Sequence, residues 1–286
     1  MSHYLKITLL LIFIFCSSWA HSARLEVFVS ILPQQYLVQK IGGDRVNVNV
    51  MVKPGQSPAT FEPSPKVMSL YSKSDVFFTI GMPFEQVWIK RVASLNQNIS
   101  IVQTQPAEND EGGQESHILL AGHRHSFDPH TWLSPVLLLE QAKIVLAELT
   151  RLSPENKSFY LNNYNRLNDK VNVLHNELSV LFKNNNKTNF VTFHPAFSYF
   201  ARQYGLTQVA IEVDGKEPSA KQISRVINRI KDKNVKYILI EKQFNKVIPQ
   251  TIANSVDAQL LIIDPLAVDY LPNMRDIAEK INKALF

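Results

Sequence analysis

Short apolar stretches recur along the chain, and their period switches repeatedly between two and about 3.6. Leu25–Ile31 (LEVFVSI) and Val46–Val52 (VNVNVMV) are rich in β-formers, and the second alternates strictly, so both predict strands. Val76–Ile80 (VFFTI) is an unbroken apolar run ending at Gly81 and predicts a buried strand, followed by a helix through Glu85 and Trp88. Ser64-Pro65 places a capping hydroxyl before a proline at the first helical position, predicting a helix through Met68, Leu70 and Tyr71. A helix from Pro135 carries Leu138, Ala142, Val145, Leu146 and Leu149 on one face.

From Ser153-Pro154 the apolar positions Tyr160, Tyr164, Leu167, Val171, Leu174, Leu178 and Leu181 recur at spacings of four and three. No breaker interrupts them before the polar Asn184–Thr188 stretch, which predicts one helix of about 30 residues, roughly 45 Å long. His175 falls on its polar side and is expected in solvent. A helix that long can serve as a stiff strut between two bodies. Beyond it, Asn189–Phe193, Gln208–Val213, Val235–Glu241 and Gln259–Ile263 predict four further strands, with helices between them such as Ser219–Lys231, apolar at Ile223, Val226, Ile227 and Ile230. Alternating strands and helices make parallel βαβ units. The fold class is α/β: two α/β lobes with parallel sheets, 21–153 and 185–286, joined by a connecting helix at 154–184. There is no internal sequence repeat.

Composition refines this picture at the chain's start. Lys6 precedes the apolar run ITLLLIFIF, and small residues lead to Ala20, so residues 1–20 predict a secretory signal peptide and a periplasmic protein. The apolar run is short for a membrane span. Cys16 is the only cysteine and lies inside that segment; Phe15 before it argues against a lipid-anchor site. What remains has no disulfide, thiolate ligand or thiol nucleophile to offer. At 45% hydrophobic and 19% charged residues the chain is globular rather than disordered. Its net charge of +5 is spread along the sequence, with no basic stripe interleaved with aromatics, which argues against nucleic-acid binding.

Three of the eight histidines, His123, His125 and His130, fall in HRHSFDPHTWLSP. Imidazole is the commonest protein ligand for borderline metals such as zinc, so this density predicts a metal site. Two further donors stand just past the carboxyl ends of predicted strands, where α/β sheets place their ligands: His194, pinned by Pro195, and Asp264, pinned by Pro265. Trp132, Phe193, Phe197, Tyr199 and Phe200 lie near these donors and would keep a cleft dry and rigid. The proline-dense Lys53–Pro65 loop can present side chains stiffly, among them Glu62.

Taken in order, PGQSPATFEPSP, Gly81…Glu85, DPHTW, HPAFSYFARQYGL, Glu217-Pro218-Ser219, Glu241-x-Gln243-Phe244 and Asp264-Pro265-Leu266 resemble the zinc/manganese class of solute-binding proteins, the metal receptors of bacterial ABC importers. The likeness runs from Ser30 to the C-terminus. It implies a monomeric two-lobed receptor that holds one metal in the inter-lobe cleft and delivers it to an ABC permease in the inner membrane. It also implies His130, His194 and Asp264 as ligands. The family's further histidine falls on Ala59, which cannot bind metal. A loop histidine (His125 or His123), a water or Glu62 would take its place.

Two or three imidazoles with one carboxylate favour zinc over manganese, which prefers more oxygen ligands. The 108–130 segment is the candidate for ordering on binding. A manganese or iron receptor of the same class is one alternative. A zinc hydrolase with Glu62 as general base is another; no HExxH unit supports it. The third is a surface adhesin with a structural metal. The reading adopted is a binding protein, not an enzyme.

Overall fold

The computed structural model describes residues 24–58, 61–82, 84–86, 88–89, 94, 96–106, 128–212 and 218–286. The predicted signal peptide, Ala59, His123, His125 and most of the 108–130 segment lie outside them. Strands β1 (Leu25–Val29), β2 (Val46–Val50), β3 (Val76–Thr79) and β4 (Ser100–Gln103) form one parallel sheet in the order β2-β1-β3-β4. Strands β5 (Asn189–Thr192), β6 (Thr207–Ala210), β7 (Tyr237–Glu241) and β8 (Gln259–Ile263) form a second parallel sheet in the order β6-β5-β7-β8. The two orders are the same when each half is counted from its own first strand. The halves thus share a topology without sharing a sequence pattern.

Helices connect the strands: α1 (Leu32–Gly42), α2 (Pro65–Tyr71), α3 (Pro135–Leu152), α4 (Lys157–Phe182), α5 (Ser198–Gln203), α6 (Ala220–Ile230), α7 (Val247–Ser255) and α8 (Tyr270–Ala284). The Ser64 hydroxyl accepts from the Val67 N–H at the start of α2. Ser219 and Gln222 form a capping box at the start of α6. Strand β4 is the element the hydrophobic pattern does not predict. It has four residues, alternately half-buried and exposed, and pairs only with β3. So short an edge strand carries too few apolar positions to show a period.

Helix α4 is the predicted strut, shortened at its start because Pro154–Asn156 form a 3-10 turn. Its 26 residues span about 39 Å at 1.5 Å per residue. The seam residues Tyr160, Leu167, Val171, Leu174 and Leu178 are all buried. The helix packs against α1 and α3 of the first half and α8 of the second. One apolar core therefore runs without a break from Val27 and Phe28 of the first sheet, through Val171 and Leu174, to Phe190 and Ile277 of the second half. A smaller cluster, including Val191, Ile211, Val226, Ile240 and Ile252, is built around the second sheet. His175 is not in solvent as expected. It is half-buried, with Nδ1 3.2 Å from the Tyr204 hydroxyl, because Tyr204 packs over that side of the helix.

Beyond β3 the chain turns at Gly81, whose φ of 83° suits a residue without a Cβ. This wraps the N–H groups of Ile80, Gly81 and Met82 around the buried Glu85 carboxylate at 2.9, 2.7 and 2.9 Å. Ser30, at the end of β1, donates its hydroxyl to the same carboxylate. Glu85 so ties together the two strand ends at the switch point of the first sheet. Among the described residues, no helix is long and apolar enough to cross a membrane.

Candidate metal centre

The carboxyl ends of strands in the second half carry a group of polar side chains on an apolar sheet. Beyond β6 the pairing with β5 continues for two residues: the Ile211 N–H bonds to the Thr192 carbonyl at 3.0 Å and the Glu212 N–H to the Phe193 carbonyl at 2.8 Å. That register sets Glu212 beside His194, and the imidazole Nδ1 is hydrogen-bonded to Oε2 of Glu212. The His194 ring also lies against Phe244, 5.3 Å between centroids. Glu212 is buried and His194 only 18% exposed in its side chain, so neither carboxylate nor ring turns freely in solvent.

His130 arrives from the other half, in the Asp128-Pro129-His130 turn that leads into the buried Thr131–Leu133 3-10 turn and α3. Its backbone N–H and ring Nδ1 both meet Oδ1 of Asp128, at 3.0 and 2.7 Å. Asp128 is held from both halves. Ser198 donates its hydroxyl to Oδ2, while Tyr199 and Gln105 donate to its backbone carbonyl at 3.1 Å each. Burial pushes the Asp128 carboxyl up, but the His130 charge and the hydrogen bonds from His130 and Ser198 outweigh it and hold the group below the usual range. Asp128 is thus an ionised acceptor.

The two rings meet edge to face, 5.1 Å between centroids, with their Nε2 atoms 3.2 Å apart. Carboxylates face both Nδ1 atoms, so in a ring that carries a single proton that proton sits on Nδ1 and Nε2 is left bare. With both rings in that form, two Nε2 lone pairs would point at one another, an arrangement that a shared cation reconciles. Two nitrogens each about 2.1 Å from a tetrahedral zinc lie roughly 3.4 Å apart, close to the separation found here.

Asp264 stands directly past β8 as expected, but its carboxylate is engaged elsewhere. Oδ1 accepts the Leu266 N–H at 3.2 Å, and Oδ2 is paired with the Lys242 ammonium. Among the described residues, no three of His, Cys, Asp and Glu are grouped so as to hold one ion together. The histidine pair is formed; Asp264, drawn to Lys242, does not join it in such a group. Glu62 is exposed. His123 and His125 fall outside the described residues.

Aromatic side chains close the site's surroundings. Trp132 is buried beside His130, 5.2 Å between centroids, and its indole N–H donates to the Pro265 carbonyl at 2.8 Å. Phe193, Phe197 and Phe200 are buried. Sequence reasoning overlooked Asp128, Glu212 and Glu241 as partners of the ligands. Each is an acidic residue at or just past the end of an apolar run or beside a candidate ligand, and that is the signal that could have found them. Glu241 is 1% exposed, and burial pushes its carboxyl up to about 7, with the His194 charge and backbone N–H groups nearby only partly offsetting it.

Comparison with known proteins bears on this geometry. Residues 27–284 match the family model described as ZnuA, zinc-uptake complex component A, periplasmic. A putative metal-binding protein of Chlamydia muridarum is 29% identical over 279 residues, covering 96% of this chain and 98% of the relative. The high-affinity zinc uptake system protein ZnuA of Bacillus subtilis is 27% identical over 252 residues, covering 85% and 79%. A crystal structure of a ZnuA 138-173 deletion mutant with zinc bound superposes with a TM-score of 0.81 at 35% identity, covering 91% of this chain and 98% of that one.

Proposed function

The chain belongs to the family of periplasmic zinc-uptake complex components and is a zinc-binding receptor of ABC zinc uptake, and on that premise we propose that His130 and His194 hold the transported ion with Asp264 as a third ligand. The single observation supporting this assignment is the approach of two Nε2 atoms from opposite halves to 3.2 Å, each ring braced at Nδ1 by a carboxylate. Such braced imidazoles are the usual form of a zinc-ligating histidine. A histidine of the 123–125 segment, a water or Glu62 completes the shell that Ala59 leaves short.

The receptor acts outside the cytoplasm as a monomer, with lobes at 21–153 and 185–286, and hands its ion to a permease in the inner membrane. The family is one of solute-binding receptors rather than enzymes. Trp132 and the phenylalanines exclude water around the rings, which strengthens the nitrogen–metal interaction.

The assignment is tested by titrating zinc into the metal-stripped protein and into His130→Ala and His194→Ala, with bound metal counted independently. One ion per chain and a loss of at least about 100-fold in each variant is expected, since each removes a direct ligand rather than its brace. One tightly held zinc surviving both substitutions together would overturn it.

A further inference from the structure

The ladder between β7 and β8 runs one residue past the end of β7. The Lys242 N–H donates to the Ile263 carbonyl at 3.0 Å, which sets the Lys242 side chain beside residue 264. The ammonium lies on Oδ2 of Asp264 while the Leu266 N–H holds Oδ1. Both oxygens of that carboxylate therefore have a donor belonging to the protein itself. Asp264 is 20% exposed in its side chain and Lys242 48%, so the pair sits at the mouth of a crevice and its cation is the mobile partner. The crevice is lined from the first half by Leu32, Lys53 and Gln56 and from the second by Lys242, Gln243 and Asp264.

We propose that Lys242 is a tethered competitor of the transported ion: its ammonium occupies Asp264 and must be displaced before that carboxylate can ligate a metal. This inference rests on the assignment of Asp264 as a ligand. A carboxylate already neutralised by an ammonium gains less from a divalent cation than a free one does, and displacing the lysine breaks an ion pair. The four-carbon stem lets the ammonium swing into water while its backbone stays fixed in the ladder. When the ion leaves, the same ammonium is at hand to take over the carboxylate. Lys242 thereby weakens binding and speeds release, which suits a protein that must give its cargo away.

The experiment is stopped-flow and equilibrium titration of the full chain with zinc, using a chelator of known affinity. It compares Lys242→Met, Lys242→Gln, Lys53→Met, Asp264→Asn, Lys242→Met/Asp264→Asn and His194→Ala. Both Lys242 variants are expected to bind zinc about tenfold more tightly and to release it correspondingly more slowly. Lys53→Met, which removes a charge from the same crevice without touching Asp264, should change affinity far less. In the Asp264→Asn background the Lys242 effect should vanish. Unchanged affinity and release in both Lys242 variants, or an equal gain in Lys53→Met, would overturn the proposal. His194→Ala separates the two readings: if it retains full affinity, the site itself is misassigned, whereas its loss beside an unaltered Lys242→Met condemns the competitor alone.

Discussion

His130 and His194, 64 positions apart in the chain, bring their Nε2 atoms to 3.2 Å, and each turns its other nitrogen to a carboxylate, Asp128 for one and Glu212 for the other. The braces fix which nitrogen is bare and where it points. Glu212→Ala removes a brace and leaves the ligand, so zinc affinity should fall about 10- to 100-fold. His194→Ala should cost more than that, and His123→Ala least. Competition titrations on the three variants check the ranking. Equal losses from His194→Ala and His123→Ala would mean the shell is wrongly drawn.

Glu241 makes stability depend on pH. Burial raises its carboxyl to about 7, outweighing the His194 charge that favours the ionised form. The folded chain therefore holds this proton more tightly than the unfolded chain does. Stability is undiminished below the ordinary glutamate value near 4.5 and is lost as pH climbs from there towards 7. Glu241→Gln has no proton to lose. With zinc chelated, its melting temperature should match or fall slightly below the parent's at pH 4.5 and exceed it at pH 8. A difference that stays constant across that range would contradict a buried, protonated Glu241.

Apart from β4, the strands were legible, most as the apolar runs that helix-covered parallel sheets produce and β2 by its alternation. The strut was legible because its seam holds one period from Tyr160 to Leu178, every seam position but Tyr164 fully buried. His130, His194 and Asp264 were singled out because proline fixes the backbone beside them and strand ends precede the latter two. The braces were not legible. Glu212 reaches His194 only because pairing with β5 continues for two residues past the end of β6, a property of pairing rather than of either segment. The same holds for Lys242 and Asp264. Continuity of the core was missed too, since the seam of α4 shows that it is buried but not that helices of both halves bury it.

Trp132 ties the halves together next to the rings. Its N–H donates to the Pro265 carbonyl at 2.8 Å, and its own carbonyl accepts the Tyr270 hydroxyl at 2.9 Å. Trp132→Phe keeps a ring in place while leaving the Pro265 carbonyl without that donor, which costs about 1–3 kcal/mol. Tyr270→Phe should cost a similar amount. The two bonds link the same pair of segments, so the double variant should lose less or more than the sum rather than the simple sum. Denaturant titration of the four proteins measures the coupling; strict additivity would mean the bonds act independently.

Leu174 and Val180 lie on the same helix and separate two accounts of the strut. If α4 only spaced two independent bodies, trimming either side chain would have a small, local effect. Leu174 is instead fully buried in the core shared by both sheets, whereas Val180 is 76% exposed. Leu174→Ala should cost about 2–5 kcal/mol, a drop of roughly 5–15 °C in melting temperature. Val180→Ala should lie within about 0.5 kcal/mol of the parent. Because one core joins the halves, far-UV circular dichroism and tryptophan fluorescence should report a single coincident transition that moves as a whole in Leu174→Ala. A variant in which one part of the signal shifts while the rest melts unchanged would show that the halves unfold separately and that the strut is only a spacer.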